Sequence, residues 1–304
     1  MTGFRCAVAS RERGDELAGT ASTVRSFLLV EHAGPWGADA LRDARLPEGL
    51  GEHLREASRR NRVRVLLVRR PGRRATGGPV RVVAARAAGP GSWLESASLD
   101  GLADVRSLDL AALGAGRSLG LDRSTASLLA VCTHGRHDAC CTELGRPVAL
   151  ALADGPHGDA TWETSHVGGD RFAGNLVVLP RGLYYGGLDP DSARAVADAT
   201  AVGQVLLEHF RGRSDLPMAA QAADVALRRE HRLTGLDDVQ VRGVRVDGDL
   251  TAVRCEVRGL GVRDVVVRRV PGEDAHQLTC SARRASTIPR HEVVEVGEVN
   301  PDGS

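Results

Sequence analysis

The sequence predicts an α/β protein built in three regions. In the first two thirds of the chain, short apolar runs typical of buried strands alternate with stretches whose apolar residues recur at helical spacing. In the last third, one helical stretch precedes segments in which apolar and polar residues alternate, as in half-buried strands. At roughly 150 residues per domain, 304 residues suffice for two domains and a small further piece. We predict an N-terminal α/β domain (1–117), a central α/β domain (118–212) and a β-rich C-terminal region (213–304).

The N-terminal domain contains three predicted strands, which are "VRSFLLVEH" (24–32), "RVRVLLVRR" (62–70) and "GPVRVVAARA" (78–87). Helical periodicity is present in "GADALRDARL" and "GLGEHLREASRR", between the first two strands. The turn residues of "PGRRATGG" predict a hairpin-like connection between the second and third strands. We interpret "VEHAGPWG", which includes Trp36, as a strand-to-helix corner, with a contact to the second domain as the alternative.

The central domain begins with a strand at 127–132 and a cysteine-rich loop, followed by a helix at 141–154. A strand at 160–166 ends at a histidine, and a strand pair and a helix follow at 175–180, 182–187 and 189–210. Asp189 is placed to cap that last helix. This order of elements is compatible with a small thioredoxin-like unit.

The C-terminal region starts with a helix at 217–233. Strands are predicted after it at 239–248, 250–259, 262–272 and 276–284. The sequence shows no internal repeat strong enough to assert.

Composition excludes several classes of function. The net charge is +1, so the chain has no electrostatic footprint for nucleic acid. All basic residues are arginine, so no lysine can form a Schiff base. Neither a GxGxxG sequence before a helix nor a P-loop pattern is present, which leaves nucleotide binding without support.

No apolar run approaches 18 residues, so we expect no membrane span. The N-terminus lacks an apolar run of signal-peptide length, and we therefore expect a cytoplasmic protein in a reducing environment. Six unevenly spread cysteines do not predict a disulfide scaffold. Clustered cysteines in such a protein indicate metal binding or redox chemistry instead.

Two short segments carry the candidate site. "CTHGRHDACC" contains Cys132 and Cys141 with eight residues between them, and "SHVGGD" contains His166 and Asp170 with three residues between them. Thiolates and imidazoles bind zinc, iron or iron–sulfur clusters. Two ligands from each loop would give four, which suits either a [2Fe–2S] cluster or a tetrahedral zinc ion. The C-x8-C spacing is wider than that of a zinc knuckle and slightly favours the cluster.

The segments "CTHGRHDACC", "SHVGGDRFAGN", "LPRGLYYGG" and "LLVEHAGPWGADAL" resemble the sucrase/ferredoxin-like family, over roughly residues 4–212. The resemblance implies that the central domain is a thioredoxin-like ferredoxin module that binds a [2Fe–2S] cluster for one-electron transfer or redox sensing. It also implies a partner that is a redox protein or a reductase. The cluster ligands would include Cys132, Cys141 and His166.

One position departs from the resemblance, because Asp170 stands where the family pattern H-x3-H has a second histidine. Asp170 can itself bind iron, another group such as Cys140, His134 or His137 can replace it, or the cluster can be lost while the fold is kept. In the last case the loops would belong to a zinc-stabilised or metal-free binding module. If Asp170 is a ligand, its charge should place the reduction potential between those of four-cysteine and two-histidine clusters.

Two enzymatic alternatives have less support. A thiol oxidoreductase would need a Cys-x-x-Cys pair, and the adjacent residues Cys140 and Cys141 are poorly placed to form an unstrained disulfide. A glycosidase needs two paired carboxylates, and no motif supplies them.

The remaining residues of the loop and the other cysteines are interpreted structurally. We expect His134 and His137 to be solvated or hydrogen-bonding loop residues and Asp138 to cap the following helix. Cys140 is expected to be a core thiol that faces away from the site. We expect Cys255 and Cys280 to be buried apolar residues in strands, and we assign Cys6 no role.

Overall fold

A ten-stranded mixed sheet runs through the first two thirds of the chain. The computed structural model describes residues 3–72 and 78–298. The order of strands across the sheet is β10-β9-β8-β6-β7-β2-β1-β3-β4-β5. The strands are β1 (Ser26–Glu31), β2 (Val63–Arg69), β3 (Val80–Arg86), β4 (Trp93–Leu99), β5 (Asp122–Ser124), β6 (Leu128–Cys132), β7 (Thr161–Thr164), β8 (Leu176–Leu179), β9 (Leu183–Tyr185) and β10 (Phe210–Arg213). The helices are α1 (Cys6–Arg13), α2 (Ala40–Asp43), α3 (Leu50–Asn61), α4 (Leu110–Gly114), α5 (Ala139–Ala153), α6 (Pro190–Ala201) and α7 (Met218–His231).

The sheet contains the same topology twice. In the N-terminal half, β1 is parallel to β2 and antiparallel to β3, and β3 is antiparallel to β4. In the central half, β6 is parallel to β7 and antiparallel to β8, and β8 is antiparallel to β9. Each half has helix between its first two strands and a helix after its last. Both halves therefore have the strand order of a thioredoxin-like unit, and the predicted α/β fold class is confirmed.

The two halves are joined by a short antiparallel pairing of β2 with β7. Only the ends of these strands overlap, with Val68 opposite Thr164 and Arg69 opposite Glu163. The two strands overlap at their carboxyl ends. Because β1 is parallel to β2 and β6 is parallel to β7, the loops that follow β1 and β6 lie at this same edge of the sheet. The Arg69 guanidinium also donates to the buried Glu163 carboxylate across the join, at 2.6 Å. The sheet thus continues past residue 117, and the domain division there stays a prediction.

Two local predictions need correction. Strands β2 and β3 do not form a hairpin, because β1 lies between them. Most of the predicted turn "PGRRATGG" lies outside the described residues. The helix predicted at 189–210 ends at Ala201, where Gly203 adopts a φ of +76°, and Phe210 begins strand β10 instead. Its predicted N-cap is confirmed, since the Asp189 carboxylate accepts from the backbone N–H groups of Asp191 and Ser192.

Apolar periodicity explains the helix that covers the N-terminal half. In α3, Leu50 and Leu54 recur at a spacing of four and are fully buried against the sheet, while Glu52 between them is exposed. Burying each leucine stabilises the fold by roughly 1.5–3 kcal/mol.

The C-terminal region is a four-stranded antiparallel sheet that packs on α7. Its strands are β11 (Val239–Asp247), β12 (Leu250–Val257), β13 (Gly261–Val270) and β16 (Arg290–Glu298), and the two-residue strands β14 (Ala275–His276) and β15 (Ser286–Thr287) form a separate ribbon. Inward-facing residues, including Val253, Cys255 and Val265, share a core with α7. The predicted burial of Cys255 is therefore confirmed.

The strand predicted at 276–284 is wrong. Only its first residue, His276, is in a strand, and Cys280 lies in a turn with its surface partly exposed. Strand β16 was not predicted. Within the described residues, no helix combines the length and the apolar character needed to cross a membrane.

Candidate metal centre

The two predicted cysteine ligands lie at the junction of β6 and α5. Cys132 is the last residue of β6, and Cys141 is the third residue of α5. The Asp138 carboxylate accepts from the backbone N–H of Cys140 at 2.9 Å, which confirms the predicted cap. One turn into the helix, Gly145 has no side chain, and a Cβ there would lie 2.0 Å from the Cys132 carbonyl oxygen. The helix can therefore approach the end of the strand and bring the two sulfurs together.

The other two predicted ligands lie in the turn after β7. Gly168 and Gly169 have φ values of +99° and +83°, a conformation that only glycine adopts without strain. This tight turn brings Asp170 back toward His166. Oδ1 of Asp170 lies 2.8 Å from Nδ1 of His166 and accepts from the Cys141 thiol at 3.3 Å.

All four predicted residues converge on one site. The sulfurs of Cys132 and Cys141 and one ring nitrogen of His166 lie within 4.8 Å of one another. Asp170 and His166 form a second such group with His137. Both cysteines are buried, and the His166 side chain is 24% exposed. The chain thus contains a cysteine-rich group that could hold a metal, while the role of each residue as a ligand stays a prediction.

His166 carries an unsatisfied polar atom. Its Nδ1 is at ion-pair distance from Asp170, but the ring N–H is too poorly aligned to count as a hydrogen bond. Among residues 3–72 and 78–298, this buried nitrogen has no other hydrogen-bond partner. Buried polar atoms are rarely left in this state. Two thiols, a carboxylate and an imidazole make a donor set that fits a bound metal or cluster.

Neighbouring groups at the site also shift the pKa values of all four residues. Contact with the Cys141 thiol, helped by His166, holds the pKa of Cys132 well below its usual range although burial opposes this. The same contact with Cys132, together with burial, raises the pKa of Cys141. Burial alone would lower the pKa of His166, but Asp170 and Cys132 outweigh it and raise that pKa to about 9. Burial would raise the pKa of Asp170, but the neighbouring His166 lowers it.

Comparison with known proteins shows that the part of the chain containing this site matches a protein family. The sequence pattern described as sucrase/ferredoxin-like matches residues 17–212, which is more than half of the chain. This chain belongs to the sucrase/ferredoxin-like family. The matched range includes the two thioredoxin-like halves and all four candidate ligands.

One curated relative is altered inheritance of mitochondria protein 32 of the yeast Meyerozyma guilliermondii. The two proteins are 29% identical over 98 residues, which is 29% of this chain and 35% of the relative. The match therefore spans about a third of the relative's own length. No solved structure matches the chain.

In this sucrase/ferredoxin-like chain, the N-terminal half orients two histidines of the central loop. Nε2 of His134 donates to the Gly37 carbonyl at 2.8 Å, and its Nδ1 accepts from the backbone N–H of His166 at 3.2 Å. Both of its ring nitrogens are therefore occupied, so His134 is a hydrogen-bonding residue, as one of the sequence interpretations held. The Trp36 ring meets His134 edge-on at 5.8 Å, so the corner does contact the central half.

His137 takes part in the site more closely than the sequence indicated. Its Nδ1 donates to the Ala38 carbonyl at 3.1 Å, and its Nε2 lies 3.8 Å from Oδ2 of Asp170. Its ring stacks on that of His166 with 3.9 Å between centroids. His137 is thus a fifth potential ligand.

Arg211 is a buried residue that no sequence motif revealed. It lies on β10 and is 1% exposed. Its guanidinium donates to the Gly168 carbonyl, the Asn175 side chain and the Thr20 carbonyl, at 3.1, 2.7 and 2.6 Å. Burial lowers the pKa of Arg211 to about 10. The contacts hold the glycine turn, and so fix the spacing of His166 and Asp170.

Proposed function

We propose that this chain is an iron–sulfur protein, which binds a [2Fe–2S] cluster through Cys132, Cys141, His166 and Asp170. The observation that carries the proposal is the convergence of two buried sulfurs, an imidazole and a carboxylate from two separate loops. A cluster bound there supplies a one-electron couple. The function is then electron transfer or redox sensing with a partner redox protein or reductase.

The candidate ligands are unevenly buried, which supports electron exchange at the face of the site where the histidines lie. Cys132 and Cys141 are at most 1% exposed, whereas the side chains of His137 and His166 are 36% and 24% exposed. The two imidazoles stack, so they present a continuous face toward solvent. A partner would therefore approach the histidines, while the sulfurs stay shielded from water and from oxidation.

A second candidate is a structural zinc site formed by the same loops. The three donor atoms of Cys132, Cys141 and His166 all lie within 4.8 Å of one another. Ligands of one tetrahedral zinc ion, with bonds of about 2.0–2.3 Å, are separated by roughly 3.3–3.8 Å. This compact arrangement favours a single ion, whereas the wide C-x8-C loop and the family favour the cluster.

The same burial disfavours thiol–disulfide exchange as the function. A reactive thiol has to be accessible to its substrate, and both sulfurs lie in the interior. The sulfur of Cys132 is also in contact with Cys141 and His166 rather than with solvent.

The test is the metal content of the full chain, purified without air. The cluster predicts a reddish-brown protein with about two irons and two sulfides per chain, and a rhombic electron paramagnetic resonance signal after reduction. Cys132→Ser should lose the colour, and Cys255→Ser, which changes a buried cysteine on β12 away from the site, should keep it. A colourless wild-type chain with zinc that Cys132→Ser abolishes would establish the second candidate. A chain that takes up neither metal contradicts both.

A further inference from the structure

A second group of cysteines lies beside the first turn of α5. The sulfur of Cys140 is 3.4 Å from that of Cys280, which is 3.6 Å from that of Cys6. The Cys6 sulfur is in turn 3.6 Å from both carboxylate oxygens of Asp138. One donor atom of each of these four residues lies within 4.8 Å of the other three.

The group joins three distant parts of the chain. Cys6 is on α1, Cys140 is on α5, and Cys280 lies 140 residues beyond Cys140, in the segment between β14 and β15. All three are free thiols. A lone buried cysteine usually serves as a small apolar residue. Three of them around a carboxylate that is itself 2% exposed are instead the donor set of a metal site.

We propose that Cys6, Asp138, Cys140 and Cys280 bind one Zn²⁺ ion. A tetrahedral ion with Zn–S bonds of about 2.3 Å separates its sulfur ligands by roughly 3.8 Å, close to the 3.4 and 3.6 Å observed. The hard carboxylate favours zinc over copper(I), which prefers sulfur ligands alone. On binding, the ion replaces the thiol protons, which pass to the solvent.

The surroundings of the group suit an anionic zinc centre. Three thiolates and a carboxylate around Zn²⁺ leave a formal charge of about −2. Arg5 is close enough to interact electrostatically with Cys140 and Cys280, and Arg171 with Cys6. The Asp138 oxygens also accept from the backbone N–H groups of Cys140 and Cys280, at 2.9 and 2.6 Å, which fixes the carboxylate in place.

The zinc ion would tie the two ends of the chain to the central half. The turn around Cys280 lies between two-residue strands, and Cys280 is partly exposed. A link between residues so far apart in sequence removes many conformations of the unfolded chain. This site shares no ligand with the candidate [2Fe–2S] centre, so either proposal can fail without the other.

The test measures zinc per chain and zinc affinity in the full-length protein, purified without air and equilibrated with ZnCl₂. Cys132→Ser removes the first centre and isolates this one. In that background we expect one zinc per chain, and Co²⁺ in its place should give the intense visible bands of tetrahedral thiolate coordination. Adding Cys280→Ser should weaken zinc binding by at least about 10-fold, since losing a ligand costs no less than losing an outer-shell partner. Adding Cys255→Ser instead should change nothing.

Three results would overturn this proposal. The first is equal zinc affinity with and without Cys280→Ser. The second is a Cys132→Ser chain that takes up no zinc. The third is a Cys140–Cys280 disulfide, found by mass spectrometry in protein kept without air. Circular dichroism of the Cys280→Ser chain separates loss of the ligand from loss of the fold.

Discussion

The backbone of Gly145 lies against the carbonyl group of Cys132, so closely that a Cβ atom at residue 145 would come within 2.0 Å of that oxygen. The missing side chain is therefore what lets α5 dock on the end of β6 and present Cys141 to Cys132. The four candidate ligands depend on this contact, although Gly145 binds nothing.

Gly145→Ala should therefore destabilise the chain and reduce its metal content. Alanine favours a helix over glycine by roughly 1 kcal/mol, but the clash with a backbone oxygen forces α5 away from the sheet. We expect a net loss of about 1–3 kcal/mol in the free energy of unfolding, measured by urea titration, with a parallel loss of bound metal. Gly155→Ala is the control, because its Cβ would meet nothing closer than 3.6 Å. Equal effects of the two changes would contradict this account.

Asp170→His should keep the cluster and raise its reduction potential. The substitution replaces an anionic ligand with a neutral one, which favours the reduced, more negative state. Potentiometric titration followed by visible absorption measures the change. Asp191→Asn is a suitable comparison, since Asp191 pairs with Arg194 on an exposed face of α6. An unchanged potential in Asp170→His would show that this carboxylate is not a ligand.

Arg211→Met should loosen the turn between His166 and Asp170. The Asn175 side-chain oxygen would lose its donor in a buried place, at a cost of about 1–3 kcal/mol, and the half-buried carbonyl groups of Gly168 and Thr20 would lose the same donor. We expect reduced stability and, in the chains that still bind metal, an altered electron paramagnetic resonance signal. Arg123→Met, on the exposed strand β5, should alter neither. Wild-type spectra from the Arg211 variant would remove its proposed role in positioning the ligands.

Asp224→Ala should destabilise the helix that joins the sheets. Asp224 and Arg228 pair at 2.9 Å within α7, and their side chains are 0% and 1% exposed. Removing the acid leaves an unpaired buried cation, which costs about 3–5 kcal/mol. The exposed pair of Asp191 and Arg194 is the comparison, and Asp191→Ala should cost less than about 1 kcal/mol. Urea unfolding measures the loss of stability in both variants. Similar losses would contradict the expectation that the buried pair contributes more to stability than the exposed pair.

Strands and helices can be predicted from the sequence where they bury a regular pattern of apolar residues. Strands β6 to β9 are recognisable from runs such as "SLLAVC" and "NLVVLP", and the ends of β6 and β7 deliver Cys132 and, two residues on, His166. Local residue patterns also revealed the caps at Asp138 and Asp189, because capping depends on neighbours within three residues.

The failures concern contacts between distant residues. Nothing near Phe210 shows that a strand replaces the end of the predicted helix, since β10 forms by pairing with β9. Arg211 reaches back 43 residues to Gly168, and Cys280 reaches back 140 residues to Cys140. No pattern within a short segment records such distances, so the second cysteine group and the support of the glycine turn could be found only in three dimensions.

The two-residue join between β2 and β7 also limits how the protein can be divided. A fragment of residues 118–212 would contain every candidate ligand of the first centre, yet it would lack the Gly37 and Ala38 carbonyls that orient His134 and His137. The N-terminal half, which holds none of the four candidate ligands of the first centre, therefore orients two histidines beside that centre. Cutting the chain at residue 117 would yield a fragment that keeps all four candidate ligands of the first centre but cannot hold the imidazoles of His134 and His137 in place.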